Sequence, residues 1–104
     1  MRALNASDFP ELQRAFTGYL HEDFLAEYET PVDALRAFQD DADEGEARRF
    51  RKEARRFLDR TADLDLQELR ALIARLGCRW APPSRKAFAA MLTDAIAQPG
   101  SRPA

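Results

Sequence analysis

The sequence predicts an all-α fold, a compact bundle of about five helices in a single domain. Apolar residues recur at helical spacing in successive segments, and capping residues, prolines and glycines separate these segments. No segment combines sustained apolar–polar alternation with β-branched residues, the pattern typical of strands. At 104 residues the chain has the size of one domain, 1–104, for which we expect an ordered core over about 7–98 and a frayed C-terminal tail.

The first helix is predicted from about Pro10 to Leu20. Proline suits the first turn because its missing N–H would have no helical partner there. Ser7 or Asp8 is expected to cap the free amides, and Gly18 weakens the end of the helix. A break is therefore expected between Gly18 and Asp23. The apolar face of this helix contains Phe9, Leu12, Phe16, Tyr19 and Leu20.

The second helix begins with a strong signal, a threonine cap at Thr30, Pro31 in the first turn and Asp33 three residues after the cap. Negative charge favours a helix N-terminus and disfavours a C-terminus, so the acidic run 40–46 is predicted to end this helix and open the next. The expected core residues are Val32, Leu35 and Phe38.

Three further helices are predicted over about Glu46–Arg60, Leu66–Leu76 and the segment after Ser84. The first is rich in arginine, the second is capped by Asp65 and stopped by Gly77, and the third is capped by Ser84. Two prolines make the connector 78–83 extended. The apolar positions are Phe50, Ala54, Phe57 and Leu58, then Leu66, Leu69, Leu72, Ile73 and Leu76, then Phe88, Met91, Leu92 and Ile96.

Charge is unevenly distributed along the chain, whose net charge is −2. Residues 1–46 contain twelve acidic and three basic residues, whereas residues 47–104 contain thirteen basic and six acidic residues. Opposite-signed surfaces could steer and orient a charged partner. Alternatively, the two halves face each other and neutralise, and the sequence leaves both interpretations open.

The sequence offers no recognisable catalytic residues, metal site or cofactor site. It has one histidine and one cysteine, and its glycines are isolated. A dyad of Cys78 with His21 is conceivable, but a lone cysteine is far more often a small buried hydrophobe. We therefore predict a protein that is not an enzyme and takes no small-molecule ligand. Without an apolar run of about 18–20 residues or a signal-like N-terminus, we expect no membrane contact and a cytoplasmic location.

The arginine-rich stretch 48–60 has two interpretations. It could track a nucleic-acid backbone, which makes a nucleic-acid-binding or regulatory module the alternative function. The favoured interpretation is a solvated helix face whose charges pair with Glu46, Glu53 and Asp59 or with the acidic half. The overall acidic charge favours the second reading.

One heptapeptide, Gly18-Tyr19-Leu20-His21-Glu22-Asp23-Phe24, resembles the Gly-Tyr-aromatic-His-Gln-Asp-Trp signature of the CdiI-type immunity proteins of contact-dependent growth inhibition systems. The similarity extends through 9–12, 30–35 and 76–83. Leu20 and Phe24 replace larger aromatics, Trp80 stands where tyrosine is common, and 48–60 is unusually basic.

This resemblance implies a small helical protein that binds, as a 1:1 complex, the C-terminal toxin domain of a large effector, often a nuclease, and blocks it in the cytoplasm. Because nuclease surfaces are usually basic, an acidic surface offers charge complementarity. The expected partner-binding residues are Glu22, Asp23, Glu27, Asp40, Asp41, Asp43 and Glu44. The signature residues with a binding or structural role are Gly18, Tyr19, His21, Asp23 and Phe24, of which Tyr19 and Phe24 are favoured as structural.

Overall fold

The computed structural model describes residues 6–21 and 27–97. This part of the chain contains five α-helices and no strand, which confirms the predicted all-α fold. After a short 3₁₀ turn at Ala6–Asp8, the helices are α1 Pro10–Tyr19, α2 Pro31–Asp41, α3 Glu44–Arg60, α4 Leu66–Arg75 and α5 Arg85–Ile96. The end of α1 falls within the predicted break. The remainder of that break, at 22 and 23, and the C-terminal tail lie outside the described residues.

Most helix ends follow the local signals in the sequence. The Thr30 hydroxyl accepts a hydrogen bond from the Asp33 amide at 3.1 Å, and the Ser84 hydroxyl accepts one from the Ala87 amide at 2.9 Å. Asp65 and Glu68 form a reciprocal capping box at the start of α4. These caps confirm the predicted starts of three helices.

Helix α3 begins two residues earlier than predicted, within the acidic run. The carboxylate of Asp43 accepts from the Glu46 amide at 2.8 Å, and the carboxylate of Glu46 accepts from the Asp43 amide at 3.2 Å. This capping box binds two otherwise unpaired amides and places Glu44 in the first turn. The acidic run therefore ends α2 and opens α3, as predicted.

The N-terminus of α1 contradicts the expected cap by Ser7 or Asp8. Both residues belong to the preceding 3₁₀ segment, and the N-cap position is Phe9, which has no side-chain acceptor. The free amides of Glu11 and Leu12 instead donate to Oε1 of Glu53 on α3, at 2.8 and 3.1 Å. Glu53 is only 7% exposed, so a buried carboxylate from the middle of one helix caps another.

All five helices contribute to the core, α4 through Leu69, Leu72 and Ile73. Helix α2 packs against α5, α1 and α3, and α3 also packs against α1 and α5. Phenylalanine rings connect these helices: Phe57 contacts Phe9 at a centroid distance of 5.0 Å and Phe88 at 5.9 Å, and Phe38 contacts Phe50 at 5.1 Å. Edge-on and tilted ring contacts of this kind add to the free energy gained from burial.

The segment after α4 is joined to the end of α1. The amide of Arg79 donates to the carbonyl of Leu20 at 2.8 Å, and the hydroxyl of Thr17 donates to the carbonyl of Leu76 at 3.4 Å. Between them lies Gly77, which has φ +95° and which approaches Thr17 too closely for a Cβ atom. Glycine is therefore required at this helix stop, both by its backbone angle and by space.

We predict that Glu53→Ala lowers the free energy of unfolding by about 2–4 kcal/mol, because it leaves two buried amides of α1 without an acceptor. Glu53→Gln retains an acceptor oxygen and should cost much less. Urea denaturation measures both changes, with Asp59→Ala at an exposed position of the same helix as the control. A Glu53→Ala variant as stable as this control would contradict the capping role.

The stability contributed by Glu53 should depend on pH. Burial raises the pKa of Glu53 above its ordinary value of 4.5, although the two amide hydrogen bonds oppose this shift. As the pH rises through 4.5, the unfolded chain ionises first, so the wild-type protein should lose stability relative to Glu53→Gln. Urea denaturation of both proteins between about pH 4 and 7 tests the sign. A constant difference would mean that the pKa is the same in both states.

Candidate functional site

Three helix ends meet at one side of the molecule: the C-termini of α1 and α2 and the N-terminus of α3. The hydroxyl of Tyr19, the last residue of α1, donates to Oδ2 of Asp41, the last residue of α2, at 2.5 Å. The guanidinium of Arg14 lies 3.1 Å from Glu46 in the first turn of α3. We call the acidic residues between these ends, Asp40, Asp41, Asp43 and Glu44, the acidic face. All four are exposed.

The backbone adds to the negative charge of this side. A helix C-terminus carries a partial negative charge, and neither α1 nor α2 has a basic residue in its last turn. Helix α2 ends on Asp40 and Asp41, an arrangement that costs about 0.3–1 kcal/mol per charge at low salt. Only Asp43 and Glu44, at the start of α3, lie where the helix dipole favours a carboxylate. The negative potential is therefore partly maintained at the expense of stability.

The predicted partner-binding residues differ in what they do for the fold. Asp43 caps α3, Asp41 binds the Tyr19 hydroxyl, and Asp40 is exposed on α2. Glu44 makes an exposed ion pair with Arg48 at 3.5 Å, an interaction of little energetic value. Glu27 and His21 lie 3.3 Å apart. Glu22 and Asp23 lie outside the described residues.

Tyr19 contacts side chains of α2 and of the segment before it. Its ring packs against Phe38 at a centroid distance of 5.5 Å and stacks on Tyr28 at 6.2 Å. The hydrogen bond to Asp41, with a contribution from burial, raises the pKa of Tyr19 to about 12. Tyr19 thus fixes the position of a carboxylate in the acidic face.

Of the other signature residues, Gly18 and His21 lie within the described part of the chain. Gly18 is exposed on α1, and a Cβ added there would meet no described residue within 4 Å. His21 is half-buried, whereas Phe24, like Asp23, lies outside the described residues. Gly18 is exposed, whereas Tyr19 packs against the core. The sequence motif could not predict this difference, because it does not show which side of α1 each residue occupies.

The arginine-rich helix pairs in part with the acidic half, as one interpretation expected. Arg49 contacts buried Glu11 at 3.3 Å, and Arg56 donates to the carbonyl of Asp8 at 2.6 Å while its guanidinium lies 4.9 Å from the Phe9 ring centroid. The expected ion pairs of this stretch with Glu46, Glu53 and Asp59 are absent from the described residues. Lys52, Arg55 and Arg60 are exposed there without an ion pair.

Within residues 6–21 and 27–97, no group of three or more histidine, cysteine, aspartate or glutamate residues could hold a metal ion. No helix in these ranges has the length and hydropathy to cross a bilayer. Burial raises the pKa of Cys78 to about 11, and its thiol donates to the carbonyl of Trp80. Cys78 therefore has the buried structural role that the sequence favoured.

Comparison with protein families assigns the chain to a known group. A family model described as CdiI immunity protein matches residues 8–98. The chain belongs to the CdiI immunity protein family. The predicted resemblance of the chain to this family is thereby confirmed, and membership implies binding and neutralisation of a cognate toxin protein. No curated protein and no solved structure matches the chain.

We predict that Asp41→Asn lowers the pKa of Tyr19 from about 12 towards 10, because the charged acceptor of its hydroxyl is removed. The Tyr28→Phe background leaves Tyr19 as the only tyrosine, so its ionisation can be followed by ultraviolet absorbance. The matched control is Asp63→Asn, at an exposed loop position. An unchanged titration would show that the Tyr19–Asp41 bond does not form in solution.

Proposed function

We propose that this CdiI immunity protein neutralises a nuclease toxin by binding it through the acidic face, as a 1:1 complex in the cytoplasm. One observation carries the proposal. Two helix C-termini without basic residues converge with Asp40, Asp41, Asp43 and Glu44 on one side of the molecule. Asp40 and Asp41 lie at a helix end that electrostatics disfavours, and a cationic partner would offset that cost.

The chemistry of nucleases explains why the acidic face suits this partner. A nuclease must attract a polyanion, so the surface around its active site is usually basic. Opposite charges on the two proteins would speed their encounter and favour the cognate pair over other partners. Tyr19 supports this role by holding Asp41 in place before binding. Binding at or beside the active site is sufficient for inhibition, so we expect no catalytic turnover by the immunity protein.

A second candidate function rests on Lys52, Arg55 and Arg60, which have no ion pair within the described residues. Their exposed charges on α3 could bind a nucleic-acid backbone. Affinity of this type falls steeply as salt rises and is insensitive to nucleic-acid sequence. The candidate therefore predicts salt-dependent binding to an arbitrary duplex that Lys52→Glu with Arg55→Glu abolishes.

The direct test is isothermal titration of this protein with the C-terminal toxin domain encoded upstream of its gene, combined with a nuclease assay of that domain. We expect a stoichiometry of one and a dissociation constant of nanomolar order, with loss of nuclease activity. Binding without nuclease activity in the free toxin would retain immunity but reject the nuclease assignment. Absence of binding, together with binding to duplex DNA, would favour the second candidate.

We predict that Asp40→Lys with Glu44→Lys weakens toxin binding by at least about tenfold while the fold is retained. Asp41 and Asp43 stay unchanged in this variant because they bind Tyr19 and cap α3. Titration calorimetry gives the affinity, and thermal unfolding verifies the fold.

The control is Asp59→Lys with Asp63→Lys, which changes the net charge equally at exposed positions at and beyond the end of α3. Equal affinities of the two double variants would show that net charge, and not the acidic face, governs binding. An unchanged affinity in the first variant would remove the acidic face from the interface.

A further inference from the structure

We infer that Gly18 is the point at which the main chain of the toxin comes closest to α1. The contact surface extends from the acidic face onto the exposed side of α1 formed by Gln13, Arg14, Thr17 and Gly18. This inference rests on the proposed function, since the occupant is the toxin. On this inference, the toxin must match the acidic face in charge and must also fit closely against the exposed side of α1.

Within the described residues, the fold gives no reason for glycine at position 18. Glycine is the least favourable helix residue after proline, yet Gly18 lies within α1. Gly18 does not use the backbone freedom of glycine, because among the described residues it is Gly77 that has a positive φ. A Cβ at position 18 would meet none of the described residues within 4 Å, so packing does not exclude a side chain either.

Gly18 differs from Gly77 in backbone angle and space, and from Gly45 in its exposure. Gly77 needs both its positive φ and its lack of a side chain next to Thr17. At Gly45 an added Cβ would make ordinary contacts with Asp43 and Arg49. Gly18 is exposed, so the absent side chain opens space on the outside of the helix, where a partner can approach the backbone.

The side chains around Gly18 are already held in place. Arg14 is fixed between Glu11 and Glu46, at 3.2 and 3.1 Å, and Thr17 donates to the carbonyl of Leu76. A surface whose side chains are ordered before binding loses less conformational entropy when a partner docks. The approach to Gly18 is therefore bordered by preorganised groups.

The negative charge of the neighbouring acidic face favours a basic protein as the occupant. Arg14 borders a hollow of about 220 Å³ that is lined by Tyr19, Asp41 and Glu46, and so reaches the acidic face at Asp41. A lysine or arginine of the toxin entering this hollow would meet the two carboxylates, while the segment carrying it lies over Gly18. A second copy of this chain would bring the same negative ends of α1 and α2, and the like charges would repel.

The experiment compares the affinities of Gly18→Ala, Gly18→Leu and the wild-type protein for the upstream-encoded toxin domain. Both replacements improve helix propensity, so neither melting temperature should fall. We expect a loss of affinity of about tenfold for Gly18→Ala and about a hundredfold or more for Gly18→Leu, since an added side chain separates the two surfaces. Ala90→Leu, at an exposed position of α5, is the matched control and should bind like wild type.

The outcomes separate this inference from the proposed function. If wild type binds and both Gly18 variants bind equally well, the inference is overturned and the proposed function stands. If wild type does not bind the toxin, both are overturned. Analytical ultracentrifugation of the protein alone tests whether a second copy of the chain binds this surface instead. A wild-type dimer that Gly18→Leu dissociates would assign the surface to a second copy and overturn the inference.

Discussion

The arrangement of the helices depends on the buried carboxylate of Glu53. It accepts two amides of the first turn of α1 and so fixes the start of that helix on the middle of α3. Arg49 and Arg56, one turn away on either side of Glu53, bind Glu11 and the carbonyl of Asp8. Together these contacts determine the direction of α1, and therefore where its C-terminus emerges beside the end of α2.

Acidic residues contribute to the structure mainly at helix ends. Asp43, Asp65 and Glu68 bind free amides, whereas Asp40 and Asp41 lie at an end that electrostatics disfavours. The segregation of charge along the sequence therefore does not produce two facing halves that neutralise each other completely. Part of the acidic half pairs with α3, and the acidic face stays exposed where three helices end.

The sequence was most informative where the signal is local. Caps at Thr30, Asp65 and Ser84 join groups three residues apart, so their residue types alone predict the helix starts. The cap of α1 comes from Glu53, more than 40 residues away, and no local pattern indicates it. For the same reason the sequence identified the acidic run as a candidate surface but could not pair Asp41 with Tyr19.

The acidic face combines positions that the fold needs with positions that it does not. Asp43 closes a capping box and Asp41 anchors a tyrosine, so both are constrained by the monomer itself. Glu44 has only a weak exposed pair with Arg48. Lineages can therefore diversify at position 44 without losing the scaffold. On the proposed toxin interface, substitutions at positions of this kind would allow new mutually exclusive toxin–immunity pairs to evolve on one fold.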